Sequence, residues 1–316
     1  HKKKMFDLVN TNIKDSKKFE NYLEKFTFID VINSTNIATG EILEYPKKAS
    51  FHNINIRINK LYSKLVGSLH KLNNLIFHNQ DQNYNDFTYK ELSVLIPYFI
   101  DKFDLEDNNY LTKLELGFNI KLDCDPQKII DNHLLMYDYK SPNRDKVNNG
   151  DFKEFFKSDH HLKIYNKSKQ YKRKFDVKDH ILRIELKLTS KRKIQSFGIN
   201  CLDDLLDKNK IYKIFEFLQK EFQKLTIIDT IDFEEIPQND IDKLNKYTNP
   251  NYWQRLRIEN KSYKVQTRLK KDFNLLLKKY NLTTIKEDLN DKLIYKFWEL
   301  INQDQKELFE PISVKG

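Results

Sequence analysis

"HLKIYNKSKQYKRKFDVKDHILRIELKL", residues 161–188, decides how the chain is built. Two runs within it alternate apolar and polar residues. Leu182, Ile184, Leu186 and Leu188 interleave with Arg183, Glu185 and Lys187, and the run 161–166 does the same around Tyr165. A period of two places alternate side chains on opposite faces, the pattern of a half-buried strand. "LTKLELGFNIKL" (111–122) repeats it, with Leu114, Leu116, Phe118, Ile120 and Leu122 on one face and Lys113, Glu115, Asn119 and Lys121 on the other. Three such strands predict an antiparallel sheet with one apolar and one polar face.

The chain has 316 residues, enough for a sizeable core and more than one domain. At 39% hydrophobic and 32% charged it is globular rather than disordered. Its formal net charge of +10 points to a polyanionic partner, most often nucleic acid, although a general abundance of Lys, Asn and Ile is a second source of charge. Cys124 and Cys201 are too few for a disulfide framework or a cysteine zinc site. No run of about 18 apolar residues suggests a membrane span. No signal-peptide core follows the first residues, so the cytoplasm is the expected location. The "HKKK" before Met5 reads as a tag remnant.

Around the three strands the chain is strand-rich up to residue 207. Further strands are expected at 6–13, 26–33 and 53–59, with 61–71 as a hairpin partner. Thr88 and Glu91 form a capping box for a helix over 88–104, which Pro97 interrupts. Asp125 and Pro126 open a second helix, 138–151 reads as a loop, and a short helix is expected near 202–206. Beyond residue 207 the period becomes helical, at 210–222, 240–247 and 289–301. The fold class is therefore α+β: a central antiparallel sheet with helices on one face over 1–207, then a helical, basic region over 208–316 that binds DNA or a partner.

The polar faces carry the chemistry. Glu115 with Asn119, Tyr165 with Lys163 and Lys167, and Glu185 with Arg183 and Lys187 would share one side of the sheet. One reading is an ordinary solvated face with Glu–Lys pairs across strands. The other is a nicking surface. Two carboxylates can hold Mg²⁺ or Mn²⁺, the ion polarises a phosphodiester oxygen, and a phenol attacks the phosphorus. Lys163, Lys167, Lys169, Lys172, Arg173 and Lys174 form a run of six cations without an acid, suited to a phosphate backbone or to a soluble hairpin, and Arg183 is expected to add a DNA contact. In the basic segment 252–280, Trp253, Arg255, Arg257, Lys261, Lys264, Arg268, Lys270 and Lys271 suit duplex or single-strand binding, or a solvent-facing helix.

An ordered set of motifs carries a family resemblance: "MFDLVNTNI", "GSLHK" (67–71), "LTKLELGFNI", "LKIYNKSKQY", "ILRIELKL" and "FGINCLDDLLD" (197–207). Over roughly residues 5–207 the chain resembles the replication initiators of filamentous phages and rolling-circle plasmids. The resemblance implies an HUH-type endonuclease fold with a metal on its open sheet face. It implies cleavage of one strand of origin DNA, single-stranded or hairpin, through a tyrosine–5′-phosphate link that leaves a 3′-OH. It further implies a bacterial host cell, with a host helicase or polymerase as further partner. By position, Glu115 and Glu185 would be metal ligands and Lys167 would belong to the catalytic strand.

Three features depart from that pattern. No two of the eight histidines form His–x–His, so the metal would rest on the carboxylates with His70, which also reads as an ordinary strand histidine. Gln170 stands where many relatives have an acid. Phe155 and Phe156 stand where relatives place a tyrosine, which leaves Tyr165 and then Tyr171 as candidate nucleophiles. Tyr165 has a second reading as a structural residue bonded across the sheet. The competing class is an initiator that binds DNA without cutting it, and a third is a plain metallonuclease. A strand-transfer relaxase is chemically equivalent to the nickase.

Overall fold

The structure is a computed structural model that describes residues 5–25, 29–145, 151–171 and 178–302. Its spine is a ten-stranded antiparallel sheet formed by β1 (Phe6–Ile13), β2 (Ile32–Thr35), β3 (Ile42–Phe51), β4 (Ile54–Ile58), β5 (Ser63–Ser68), β6 (Asn109–Leu122), β8 (Arg144–Asp145), β9 (Phe152–Phe156), β10 (His160–Asn166) and β11 (His180–Leu188). The two remaining strands, β7 (Leu134–Tyr137) and β12 (Leu225–Ile227), pair apart from it. The large sheet runs β2-β3-β4-β5-β1-β6-β11-β10-β9-β8. The three strands singled out by alternation, β6, β11 and β10, are adjacent at its centre, where both neighbours satisfy the backbone.

Leu114, Leu116, Phe118, Ile120 and Leu122 face the core, as their spacing requires. Phe118 lies 5.6 Å from Phe215 and 6.3 Å from Phe297, which stack on each other at 3.8 Å. Those rings come from helices Lys208–Gln223 and Thr284–Ile301. Each fully buried aromatic of this kind contributes about 1.5–3 kcal/mol. The C-terminal region is helical, but it does not pack as one piece: these two helices share the core of the sheet past residue 207. A second apolar cluster gathers around Trp253, Phe273, Tyr247 and Met136, with the Trp253 Nε1–H donating to the Tyr247 carbonyl at 2.7 Å.

Several local expectations change. The segment 61–71 is half strand and half helix. Ser68 ends β5 and caps helix Leu69–His78, its hydroxyl accepting from the Lys71 N–H at 3.0 Å. The strand expected over 26–33 begins only at Ile32, and residues 26–28 lie outside the described part. Strand β3 has no expected counterpart, because Pro46, Lys47 and Lys48 break its alternation. Pro97 sits inside a continuous helix, Tyr89–Lys102, whose Thr88–Glu91 capping box is present. The loop expected over 138–151 carries β8, and its residues 146–150 are not described. The basic segment 252–280 is two helices, Pro250–Ile258 and Tyr263–Lys279, parted at Asn260 with φ 49°.

Candidate functional site

Register sets the polar face in rows. One row runs Glu115, Lys187, His161, Phe156 across β6, β11, β10 and β9. The next runs Gly117, Glu185, Lys163, Glu154, and a third runs Asn119, Arg183, Tyr165, Phe152. Glu115 and Glu185 are thus diagonal neighbours on one face, close enough to act on each other electrostatically. Asp7, Asn83, Glu115, Glu185, Lys163, Tyr165, Lys167, Tyr171, His161 and Lys187 all line one polar cavity of about 240 Å³.

The acids are held by protein cations. Lys187 donates to Glu115. The Arg183 side chain is fully buried and lies flat over Gly117. Its Nε–H donates to Glu185 at 2.8 Å, and its two Nη groups donate to Asn119 at 3.3 Å and Asp7 at 3.2 Å. Glycine is required at 117 because a Cβ there would stand 2.6 Å from Arg183 Nη2. Burial, with the Glu185 charge adding to it, pushes the Glu115 carboxyl up to about 7.

The phenols line the same cavity as these acids. Lys167 Nζ donates to the Tyr165 hydroxyl at 3.3 Å and to Asn83 Oδ1 at 3.1 Å. The Tyr171 hydroxyl donates to the same Asn83 oxygen. Burial lowers Lys167 to about 8, assisted by the Arg183 charge. Burial raises Tyr171 to about 12, with Asp7 adding to it, and burial also pushes Tyr165 well up, with Glu185 adding to it. Lys163 lies 4.9 Å from the centre of the Tyr165 ring and 4.7 Å from that of Phe152.

The structure therefore brings together Glu115, Glu185, Tyr165, Tyr171, Lys163 and Lys167. It removes others. Arg183, expected to touch DNA, is buried and spent on Asp7, Glu185 and Asn119. Arg257 is half-buried and donates to the Tyr139 carbonyl at 3.2 Å. Arg255 and Lys169 are exposed but do not line the cavity. Lys172, Arg173 and Lys174 lie outside the described residues. His70, expected beside the carboxylates, is a helix residue stacked 5.4 Å from Phe87, with Nε2 2.7 Å from Asn85 Oδ1. Together with Asn74, which donates to Asn85 and to the Gln82 carbonyl, it fastens the 80–87 loop that delivers Asn83.

Four cavity residues were not among the sequence candidates: His161, Asp7, Asn83 and Glu154, which stands opposite Lys163 on β9. His161 shares the parity of Lys163 and Tyr165, so the alternation already placed it on this face. Asp7 is the one acid in β1, a signal that was there to read. Asn83 comes from a loop with no periodic pattern. Among the described residues no three His, Cys, Asp or Glu side chains form a ready metal cluster. Two carboxylates with water and a substrate phosphate are nonetheless a usual Mg²⁺ environment, and the upward push on Glu115 is what a divalent ion would relieve.

Fold and site together define an α+β protein whose antiparallel sheet opens a cleft of paired acids, phenols and lysines. Among solved structures it is similar to the rolling circle replication initiator protein from Geobacillus stearothermophilus, at 12% identity and a TM-score of 0.42, over 74% of this chain and 88% of that one. No family model and no curated protein matches the chain.

Proposed function

We propose that the chain is a replication initiator that nicks one strand of origin DNA through a covalent tyrosyl-phosphate intermediate. The observation that carries the reading is the convergence of two phenols, a buried lysine and two mutually repelling carboxylates in one polar cleft. A hydrophilic cleft of 240 Å³ suits a phosphodiester better than an apolar ligand. Glu115 and Glu185 would hold Mg²⁺ or Mn²⁺, which when bound supplies charge to a phosphodiester oxygen.

Tyr171 is the stronger candidate for the nucleophile, reversing the order read from the sequence. It is half-buried where Tyr165 is buried, so its hydroxyl is the easier of the two for a phosphate to reach. The phenol oxygen forms a bond to phosphorus as the bond to the 3′-oxygen breaks. The phenol proton passes to solvent water, the 3′-oxygen takes a proton from solvent as it leaves, and the 5′-phosphate stays on the tyrosine. Lys167, 4.8 Å from the Tyr171 ring centre and bonded to the Tyr165 hydroxyl, offsets the charge that develops on the phenol. Lys163 at the cleft wall engages the neighbouring phosphate.

The test is to trap a protein–oligonucleotide adduct on single-stranded origin DNA with Mn²⁺ and map the modified peptide. The adduct is expected to survive Tyr165→Phe and to vanish in Tyr171→Phe. DNA that is shifted but never cut would favour an initiator without catalysis, in which Arg183 and Lys187 simply neutralise the acids. Cutting without an adduct would identify a plain metallonuclease.

A further inference from the structure

Helix Tyr263–Lys279 packs one side on the second apolar cluster, through Leu269 and Phe273, and leaves Tyr263, Lys264, Thr267, Arg268 and Lys271 exposed. In helix Tyr263–Lys279 the first buried side chain is Phe273. Ahead of it, Lys270 lies 4.5 Å from the Tyr139 ring centre, so the exposed positions of residues 263–272 form one helix face about 15 Å long at 1.5 Å per residue. Tyr263 at the tip is 84% exposed. Residues 263–272 bear Lys264, Arg268, Lys270 and Lys271 against a single acid, Asp272. That acid is already engaged, accepting from the Tyr247 hydroxyl at 2.8 Å and facing Lys243 at 3.8 Å. Lys264, Arg268 and Lys271 make no ion pair with any described residue.

By itself this charge pattern opposes the helix. No acid occupies the first turn, so Lys264 meets the positive end of the macrodipole. Lys264 and Arg268 stand at i and i+4, a destabilising like-charge pair. Yet the helix is firmly mounted. Helix Pro250–Ile258 ends with Lys261 N–H donating to the Leu256 carbonyl at 3.1 Å and Asn260 N–H to the Arg257 carbonyl at 3.2 Å, with Asn260 left-handed at φ 49°. Ser262 then caps the next helix, its hydroxyl accepting from the Val265 N–H. Two helices joined by a hydrogen-bonded turn of four residues, the second with a basic exposed face, make a connection of the kind that sets a helix into a DNA major groove. The groove is about 12 Å wide and admits one helix.

We propose that residues 263–272 dock in the major groove of double-stranded DNA, as a second contact separate from the cleft. Repulsion among Lys264, Arg268 and Lys271 is relieved when phosphates flank the helix, and Tyr263 meets base edges or sugar at the leading end. This surface needs none of the cleft chemistry, so it stands or falls apart from the nicking reading.

The experiment uses the full chain and a fluorescent mixed-sequence duplex of roughly 30 base pairs, about three helical turns, with a single strand of the same composition alongside. Binding is followed by anisotropy over a salt series. Replacing Lys264, Arg268 and Lys271 together by Ala is expected to weaken duplex binding at least tenfold and to reduce the slope of log K against log salt by about 3, one per phosphate contact. The duplex-to-single-strand affinity ratio falls with it. The Lys264→Arg, Arg268→Lys, Lys271→Arg chain restores the slope, and an unchanged far-ultraviolet spectrum keeps folding out of the comparison. An unchanged slope, or an equal loss on both DNA forms, overturns the proposal, as does tighter binding to an acidic peptide than to the duplex.

Discussion

Gly117→Ala tests the central packing of the cleft. The added methyl would meet Arg183 at 2.6 Å and 2.7 Å, and the guanidinium cannot swing away without leaving Asp7, Glu185 and Asn119. Overpacking of this kind costs about 1–3 kcal/mol. Against it, replacing a strand glycine gains about 0.5–1 kcal/mol from the unfolded chain. The net effect is a loss of about 1–2 kcal/mol, read as a lower urea midpoint at constant m-value. In an Arg183→Ala background the space is open, and the same substitution should become neutral or stabilise by about 0.5 kcal/mol. The cycle therefore gives a coupling of about 2 kcal/mol and a change of sign. Arg183→Ala alone is costlier, about 3–5 kcal/mol, because it strands two buried carboxylates. If Gly117→Ala destabilised both backgrounds equally, the account of Gly117 as the seat of Arg183 would be wrong.

Two further outcomes follow from the titrating groups. Glu115, held up near 7 by burial and by Glu185, binds a proton more tightly folded than unfolded, so its ionisation costs stability as pH rises from about 4.5 through about 7. Wild type should lose stability relative to Glu115→Gln across that window, and Mn²⁺ should raise the wild-type melting temperature at pH 7.5 but not at pH 5; a Mn²⁺ shift that persists in Glu115→Gln would remove this carboxylate from the metal site. Glu221 shows the opposite sign: burial pushes it up, but bonds from His160, Lys224 and Tyr137 outweigh burial and hold it at about 2. Its contribution is present above about 4.5 and is lost as pH falls toward 2, so Tyr137→Phe, which removes one donor to a buried carboxylate, should cost about 1–3 kcal/mol at pH 7 and much less in acid, by thermal melts.

Strand identity and facing were legible because period-two alternation is a local property. The runs 111–122 and 181–188 told which side of β6 and β11 would be polar before any pairing was known, and the same parity held Glu115 and Glu185 to one face. Strand β3 was not legible, since Lys47 interrupts its inward face of Tyr45, Ala49 and Phe51 while Ile42 lies exposed. His70 misled for a related reason: a strand pattern ran into a helix whose cap, Ser68, is also the last strand residue.

The sequence by itself determined the α+β class, the polar row of acids, tyrosine and lysines, and the basic character of the C-terminal helices. These follow from local spacing and composition, which need no knowledge of what lies across the sheet. Only the tertiary structure decided that Arg183 is an internal strut rather than a DNA contact, that Asn83 and Asp7 complete the cleft, and that Lys208–Gln223 and Thr284–Ile301 share the sheet's core. Those facts depend on register and on which distant segments are buried together. A charged side chain on a polar face points to solvent or to a partner only once its neighbours across the strands are fixed.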